Sequence, residues 1–191
     1  GAPAAPAEDG AATAPGQEEE EEDSDLGAVL YSAVVLDDAS AARLREFCGT
    51  AFRGGLPGDW TVHAEHMTVC VGPLADPKTE DNRSVADAIR KQTGQLRVRQ
   101  ELDLRVVSTG SSDQAMAVGV LGCTSCNKNP HITVATAPGA QPRHSNDIRK
   151  WSMLEPGKQI TLHGMVWQRG GGRPERLAAW LWRWPSENPD A

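Results

Sequence analysis

No stretch of the 191-residue chain approaches the roughly 20 consecutive apolar residues needed to cross a bilayer. The N-terminus also lacks the basic region and apolar run of a secretory signal. No membrane partner is therefore expected. Cysteine is sparse, with Cys48, Cys70, Cys123 and Cys126 only, too few for a disulfide scaffold at this length. The expected compartment is intracellular and reducing, cytoplasmic or nuclear, with an organelle still open if a presequence has been removed. Residues 1–25 contain no Lys, no Arg and no large apolar side chain, but they hold nine carboxylates. Such a segment cannot bury enough surface to offset its ordering entropy, so a disordered acidic Ala/Pro/Glu-rich linker is expected there. The first residue is Gly rather than Met, which suits a piece of a longer chain.

The overall charge is −7, from 19 Lys and Arg against 26 Asp and Glu. Setting the tail aside leaves 17 acids against 19 bases, a net +2. The excess acidity belongs to the tail and does not bar a polyanionic ligand. Residues 26–185 suit one domain by length, followed by a short disordered tail at 186–191.

Leu30 to Leu36 is rich in β-branched and apolar residues and reads as a buried strand. Asp37 to Ser40 offers N-cap residues, and Leu44, Phe47 and Cys48 share one face of a helix over 39–51. Gly54-Gly55 and Pro57-Gly58 end it. Trp60 to Val62 and Met67 to Val71 read as strands, then 73–83 as a loop and 84–92 as a short helix. Alternation at Leu96 and Val98, then Leu102, Leu104 and Val106, marks half-buried strands. Further strands are expected at Ala115 to Leu121 and Ile132 to Ala137, the latter stopped by Pro138-Gly139. Another is expected through Ile160, Leu162 and Val166, with a bulge at Gly164. Arg169 to Pro174 reads as a Gly-rich loop, and 176–184 as strand or helix, with a last strand favoured. Many strands with one clear helix point to an α+β fold.

Two segments repeat one pattern: His66-Met67-Thr68-Val69 and His131-Ile132-Thr133-Val134. Residues two apart on a strand share a face. Each tetrad therefore offers one imidazole and one hydroxyl on one side, with apolar residues turned to the core behind. Two histidines can serve as general base and general acid around one reacting centre, because the free pKa near 6.5 makes both protonation states accessible. Hydroxyls donate to the non-bridging oxygens of a phosphate, where charge develops during displacement. A single His-x-Thr is an ordinary strand segment. Two of them among only five histidines form a stronger signal.

The paired tetrads resemble the signature of the two-histidine (2H) phosphoesterase superfamily. The stretches 31–40 (YSAVVLDDAS), 63–72 (HAEHMTVCVG) and 127–151 (NKNPHITVATAPGAQPRHSNDIRKW) resemble the 2H domain of multi-domain RNA-repair and tRNA-ligase-like proteins. The resemblance covers roughly residues 29–168. It implies an α+β, bilobal 2H phosphoesterase-like fold, with two similar antiparallel-sheet lobes around a central cleft and one tetrad from each lobe. It also implies chemistry without a cofactor or metal on 2′,3′-cyclic phosphates. His66 and His131 become the acid/base pair and Thr68 and Thr133 the phosphate donors. By analogy His131 activates water and His66 protonates the leaving oxygen, although the roles can exchange with reaction direction. The implied partner is an RNA with a 2′,3′-cyclic phosphate end, converted preferentially to the 2′-phosphate. Ligase or kinase domains adjoin such a domain in the longer proteins.

Tyr31 is a candidate base-stacking side chain. Ser145 and Asn146 are candidate substrate donors, or alternatively caps of a short helix at 147–151. Lys128, Arg143, Arg149 and Lys150 surround the second tetrad and can hold an RNA backbone, or be ordinary surface charges. Cys123 and Cys126 form a CxxC that reads as incidental turn cysteines, with metal or a disulfide as the alternative. His63 and His144 lie near the tetrads, and His163 reads as structural. Five of six tryptophans lie at or beyond Trp151, where packing is the ordinary role and base stacking the alternative. The leading expectation is a hydrolase of RNA 2′,3′-cyclic phosphate ends. Its rivals are a non-catalytic RNA-end binding module, a protein-interaction module docking through the acidic tail, and a 2H enzyme acting on small cyclic nucleotides.

Overall fold

A computed structural model describes residue 1, residues 28–78 and residues 83–170 of the chain. The expected linker over 1–25, the last strand at 176–184 and the tail at 186–191 lie outside the described residues. Strand β1 (Val29–Leu36) leads into helix α1 (Asp38–Ala51). Asp37 caps that helix, accepting from the Ser40 backbone N–H at 2.6 Å. Leu44 and Cys48 turn its apolar face inward, and both are fully buried. Then come β2 (Thr61–Val62), β3 (His66–Val71), helix α2 (Arg83–Thr93), β4 (Glu101–Ser111), β5 (Ala115–Leu121) and β6 (His131–Thr136). A 3-10 turn at Pro142–Asp147 precedes β7 (Trp151–Met153), and β8 (Ile160–Gly170) ends the described fold.

The strands form one antiparallel sheet that dominates the described residues, and its pairing corrects the expected bilobal α+β fold. The order runs β6-β3-β1-β8-β4-β5, and β5 pairs back onto β6 through Ala115↔Thr136 to Gly119↔His131. Six strands thus close into a barrel, with β2 added beside β6 and β7 beside β4. Backbone hydrogen bonding is continuous around the circuit, so the sheet does not divide into two lobes with a cleft between them. The tetrads lie on neighbouring strands, β3 and β6, rather than one per lobe.

Alternate residues of the barrel strands build one core: Val34, Met67, Val69, Leu104, Val106, Val118, Ile132, Val134, Leu162 and Val166 are essentially inaccessible. Leu44, Cys48 and Phe52 belong to the same cluster. Burying a side chain of this kind contributes roughly 1.5–3 kcal/mol. The expected strand around Leu96 and Val98 is instead a turn that precedes β4, with Arg99 at φ 67°. Two apolar residues alone were too short a pattern to distinguish strand from turn. The expected bulge at Gly164 is also absent from the ladders. Gly164 pairs in register with Leu36 and Leu102, and an added Cβ would sit 2.7 Å from the Val35 carbonyl oxygen. Close approach of backbones, not a bulge, accounts for that glycine.

Candidate active site

Met67 pairs with Ile132 across β3 and β6. Because the strands run antiparallel, His66 lies toward the Thr133 end of this pair and Thr68 toward the His131 end. Met67 and Ile132 are fully buried on the core side, so the four tetrad side chains occupy the other face. Opposed Cβ atoms lie about 4.5–5.5 Å apart and diagonal ones about 7–8 Å. The two imidazoles therefore sit on one diagonal and the two hydroxyls on the other. His63 and Ala64 extend the junction, their backbone N–H groups donating to Val134 and Thr133 carbonyls at 2.8 and 3.0 Å. Ala64 takes a left-handed φ of 51°, turning the chain from β2 into β3 immediately before Glu65 and His66.

The second tetrad is tightly held. His131 is buried, with Nδ1 2.7 Å from the Asn129 carbonyl oxygen and Nε2 2.7 Å from Ser145 Oγ. A carbonyl only accepts, so Nδ1 carries the proton and Nε2 holds the lone pair of the neutral ring. Ser145 Oγ also lies 2.8 Å from Thr133 Oγ1 and 2.6 Å from the Pro142 carbonyl oxygen. Ser145 has one proton for these neighbours. While His131 is neutral, Ser145 can donate to Nε2 and accept from Thr133. Once His131 is protonated, Nε2–H donates to Ser145, whose own proton turns to Pro142. One serine therefore serves both charge states of the ring.

The first tetrad is open. His66 and Thr68 are half-buried, and neither the His66 ring nor the Thr68 hydroxyl has a hydrogen-bond partner among the described residues. The Thr68 carbonyl accepts from Ser125 Oγ at 2.7 Å, fixing the strand but leaving its side chain free. His66 stacks on Tyr31, ring centroids 5.6 Å apart and planes 25° from parallel. Tyr31 thus supports a histidine, a different contact from the base stacking expected of it.

Burial pulls both histidines below the ordinary value of 6.5. For His66 the desolvation is opposed by the Glu65 charge and reinforced by Arg169 and His63. For His131 it is opposed by the bond to Asn129. Both rings are predominantly neutral at pH 7, and a bound phosphate anion would raise both.

Small residues set the space around His131. Gly119 pairs with it, and Gly110 and Gly119 lie under Trp151. Trp151 and Ile148 pack there with Ala115 and Ala117, and the Trp151 ring is tilted 47° at 6.0 Å from His131. This packing anchors the 3-10 turn that carries Ser145. The short helix weighed as an alternative at 147–151 does not form; that earlier turn and β7 stand there, because Ile148 and Trp151 are drawn onto the glycine-lined sheet.

Asn146 is exposed beside Ser145 without a side-chain hydrogen bond among the described residues. Lys128, Arg143, Arg149 and Lys150 are exposed and pair with no carboxylate among the described residues. His63 Nε2 lies 3.0 Å from Thr136 Oγ1, and His144 Nδ1 accepts from the Gln141 N–H at 3.0 Å. His163 is exposed, not enclosed in the core, and lies 2.5 Å from Asp103. A cavity of about 430 Å³ beside it is lined by Asp37, Glu101 and Asp103, with no tetrad residue. Three carboxylates there oppose an anionic ligand.

All four cysteines among the described residues are free thiols. Burial pushes Cys123 and Cys126 to about 11, so both stay protonated at neutral pH. No cluster of three or more His, Cys, Asp or Glu among the described residues is placed to hold a metal ion. No helix among them is long and apolar enough to cross a membrane.

Sequence reasoning missed Arg169, read as the start of a loop. It is the penultimate residue of β8, pairs with Tyr31, and donates from Nη1 to the Tyr31 hydroxyl at 3.2 Å. Continuing the strand's alternation beyond Val166 would have placed it beside the tetrads.

No family model and no curated protein matches the chain. Among solved structures, the crystal structure of a fungal RNA kinase is similar, with a TM-score of 0.46 at 15% identity over 75% of this chain. The chain spans 42% of that structure's length. A likeness at this level carries no argument about activity.

Proposed function

We propose that the chain is a phosphodiesterase of the two-histidine type that opens 2′,3′-cyclic phosphate ends of RNA, working through His66, Thr68, His131 and Thr133 without a metal. The observation that carries this reading is the Met67↔Ile132 register, which sets two imidazoles diagonally across one face with a hydroxyl beside each. A phosphate seated among the four would meet two hydroxyl donors and a ring on either side.

In this reading His131 is the base. Its Nδ1–H is anchored on Asn129, and its Nε2 takes the Ser145 proton as Ser145 takes one from the attacking water. Ser145 then accepts from the new Nε2–H and turns its own proton to Pro142. Water oxygen bonds to phosphorus, the bond from phosphorus to the ribose 3′ oxygen breaks, and protonated His66 gives its proton to that oxygen. The product is a 2′-phosphate with a free 3′ hydroxyl. Thr68 and Thr133 donate to the non-bridging oxygens as charge builds on them. Thr133 must first turn from Ser145 toward the phosphate. The exposed Lys128, Arg143, Arg149 and Lys150 supply positive charge for an RNA strand near the second tetrad.

The test is turnover of an RNA ending in a 2′,3′-cyclic phosphate by the purified chain with chelator present, the product read by phosphorus NMR. A 2′-phosphate signal is expected. Tight binding of the cyclic end without turnover would leave an RNA-end binding module instead.

A further inference from the structure

Arg169 stands beside the open tetrad. It is the penultimate residue of β8, opposite Tyr31, whose ring stacks on His66. The guanidinium is held by two contacts with that tyrosine: Nη1 donates to the hydroxyl at 3.2 Å, and Cζ lies 5.8 Å from the ring centroid. It is exposed, and no carboxylate among the described residues pairs with it. Its charge nevertheless reaches the site, since it is one of the influences holding the His66 ring neutral. A guanidinium oriented by an aromatic ring and a phenol, with donors left over and no counter-ion among the described residues, is set up to take a phosphate oxygen.

The direction of the reaction says which phosphate. If His66 protonates the leaving 3′ oxygen, the terminal ribose lies on the His66 side of the reacting phosphorus. The RNA chain leaves that ribose through its 5′ oxygen, so the next backbone phosphate lies beyond His66, where Tyr31 and Arg169 stand. We propose that Arg169, oriented by Tyr31, is a subsite for the backbone phosphate one nucleotide upstream of the cyclic end. It would give the site its preference for RNA ends over free cyclic mononucleotides. The proposal rests on the two-histidine reading above.

The experiment compares a nucleoside 2′,3′-cyclic phosphate, which lacks the upstream phosphate, with a trinucleotide ending in the same group. Wild-type chain, Arg169→Ala and Arg169→Lys are assayed at two salt concentrations, with thermal melting as a check on folding. Arg169→Ala should lose about 10- to 100-fold in kcat/KM on the trinucleotide, mostly through KM, and less than about 3-fold on the mononucleotide. Its salt dependence on the trinucleotide should become shallower by about one phosphate contact. Lysine should restore part of the loss. Equal losses on both substrates, or none on either, would overturn the subsite while the two-histidine reading stands. Wild type that turns over neither substrate would remove that reading, and the subsite with it.

Discussion

At the scale of single residues, the hydroxyl of Ser145 is the most heavily used group in the site. It contacts His131 Nε2, Thr133 Oγ1 and the Pro142 carbonyl, all within 2.8 Å. Ser145→Ala leaves a buried imidazole nitrogen unsatisfied and should destabilise the fold by about 1–3 kcal/mol, read from urea denaturation. It should also lower kcat, because the His131 imidazolium loses its acceptor. Both tetrad imidazoles have depressed pKa values, chiefly through burial. The proposed reaction needs His131 neutral and His66 charged. The pH profile of kcat/KM should therefore be a bell centred below 6.5 and falling through neutrality. The kcat profile should lie higher, since bound phosphate raises both rings. A kcat/KM maximum above pH 7.5 would contradict these assignments.

At the scale of elements, the site depends on how closely β7 and the Ser145 turn approach the sheet. A Cβ on Gly110 would lie 2.8 Å from both Ile148 and Trp151. Gly110→Ala should cost about 1–3 kcal/mol by overpacking and reduce activity by displacing Trp151 and the turn beyond it. Urea melts and kcat measured on the same variant check both effects. The tetrads, the Asp37 cap and most strands were legible in the sequence, because each rests on a short pattern: a repeated tetrapeptide, a polar residue before a helix, apolar alternation. Barrel closure was not, because it rests on pairings such as β1 with β8 and β4 with β8, more than 50 residues apart. Those pairings leave no local trace. The short helix weighed as an alternative at 147–151 failed for the same reason, since packing on Gly110 and Gly119 overrides local preference. Arg169 was missed where glycines follow it in sequence, although its strand continues through Gly170.

At the scale of the whole molecule, the closed barrel is the frame that fixes the site. The β3–β6 seam carrying the tetrads is flanked by β1 and β5, so both tetrad strands are paired on each side. Burial of the two histidines links this frame to pH. The unfolded chain binds protons near 6.5, whereas the folded rings resist them. The stabilisation is fully present above 6.5 and is lost as pH falls through the lowered folded values. Melting temperature should therefore decline from pH 7 to pH 5, and less steeply in His131→Asn than in the parent chain. The most direct measurement is kcat/KM on an RNA 2′,3′-cyclic phosphate end, with chelator, for wild type, His66→Ala, His131→Ala and the double variant. Each single variant should lose about 10²- to 10⁴-fold. The double variant should lose much less than the product of the two, because the rings act as a pair. Wild-type turnover in either single variant would contradict the assignment of the two histidines to one reaction.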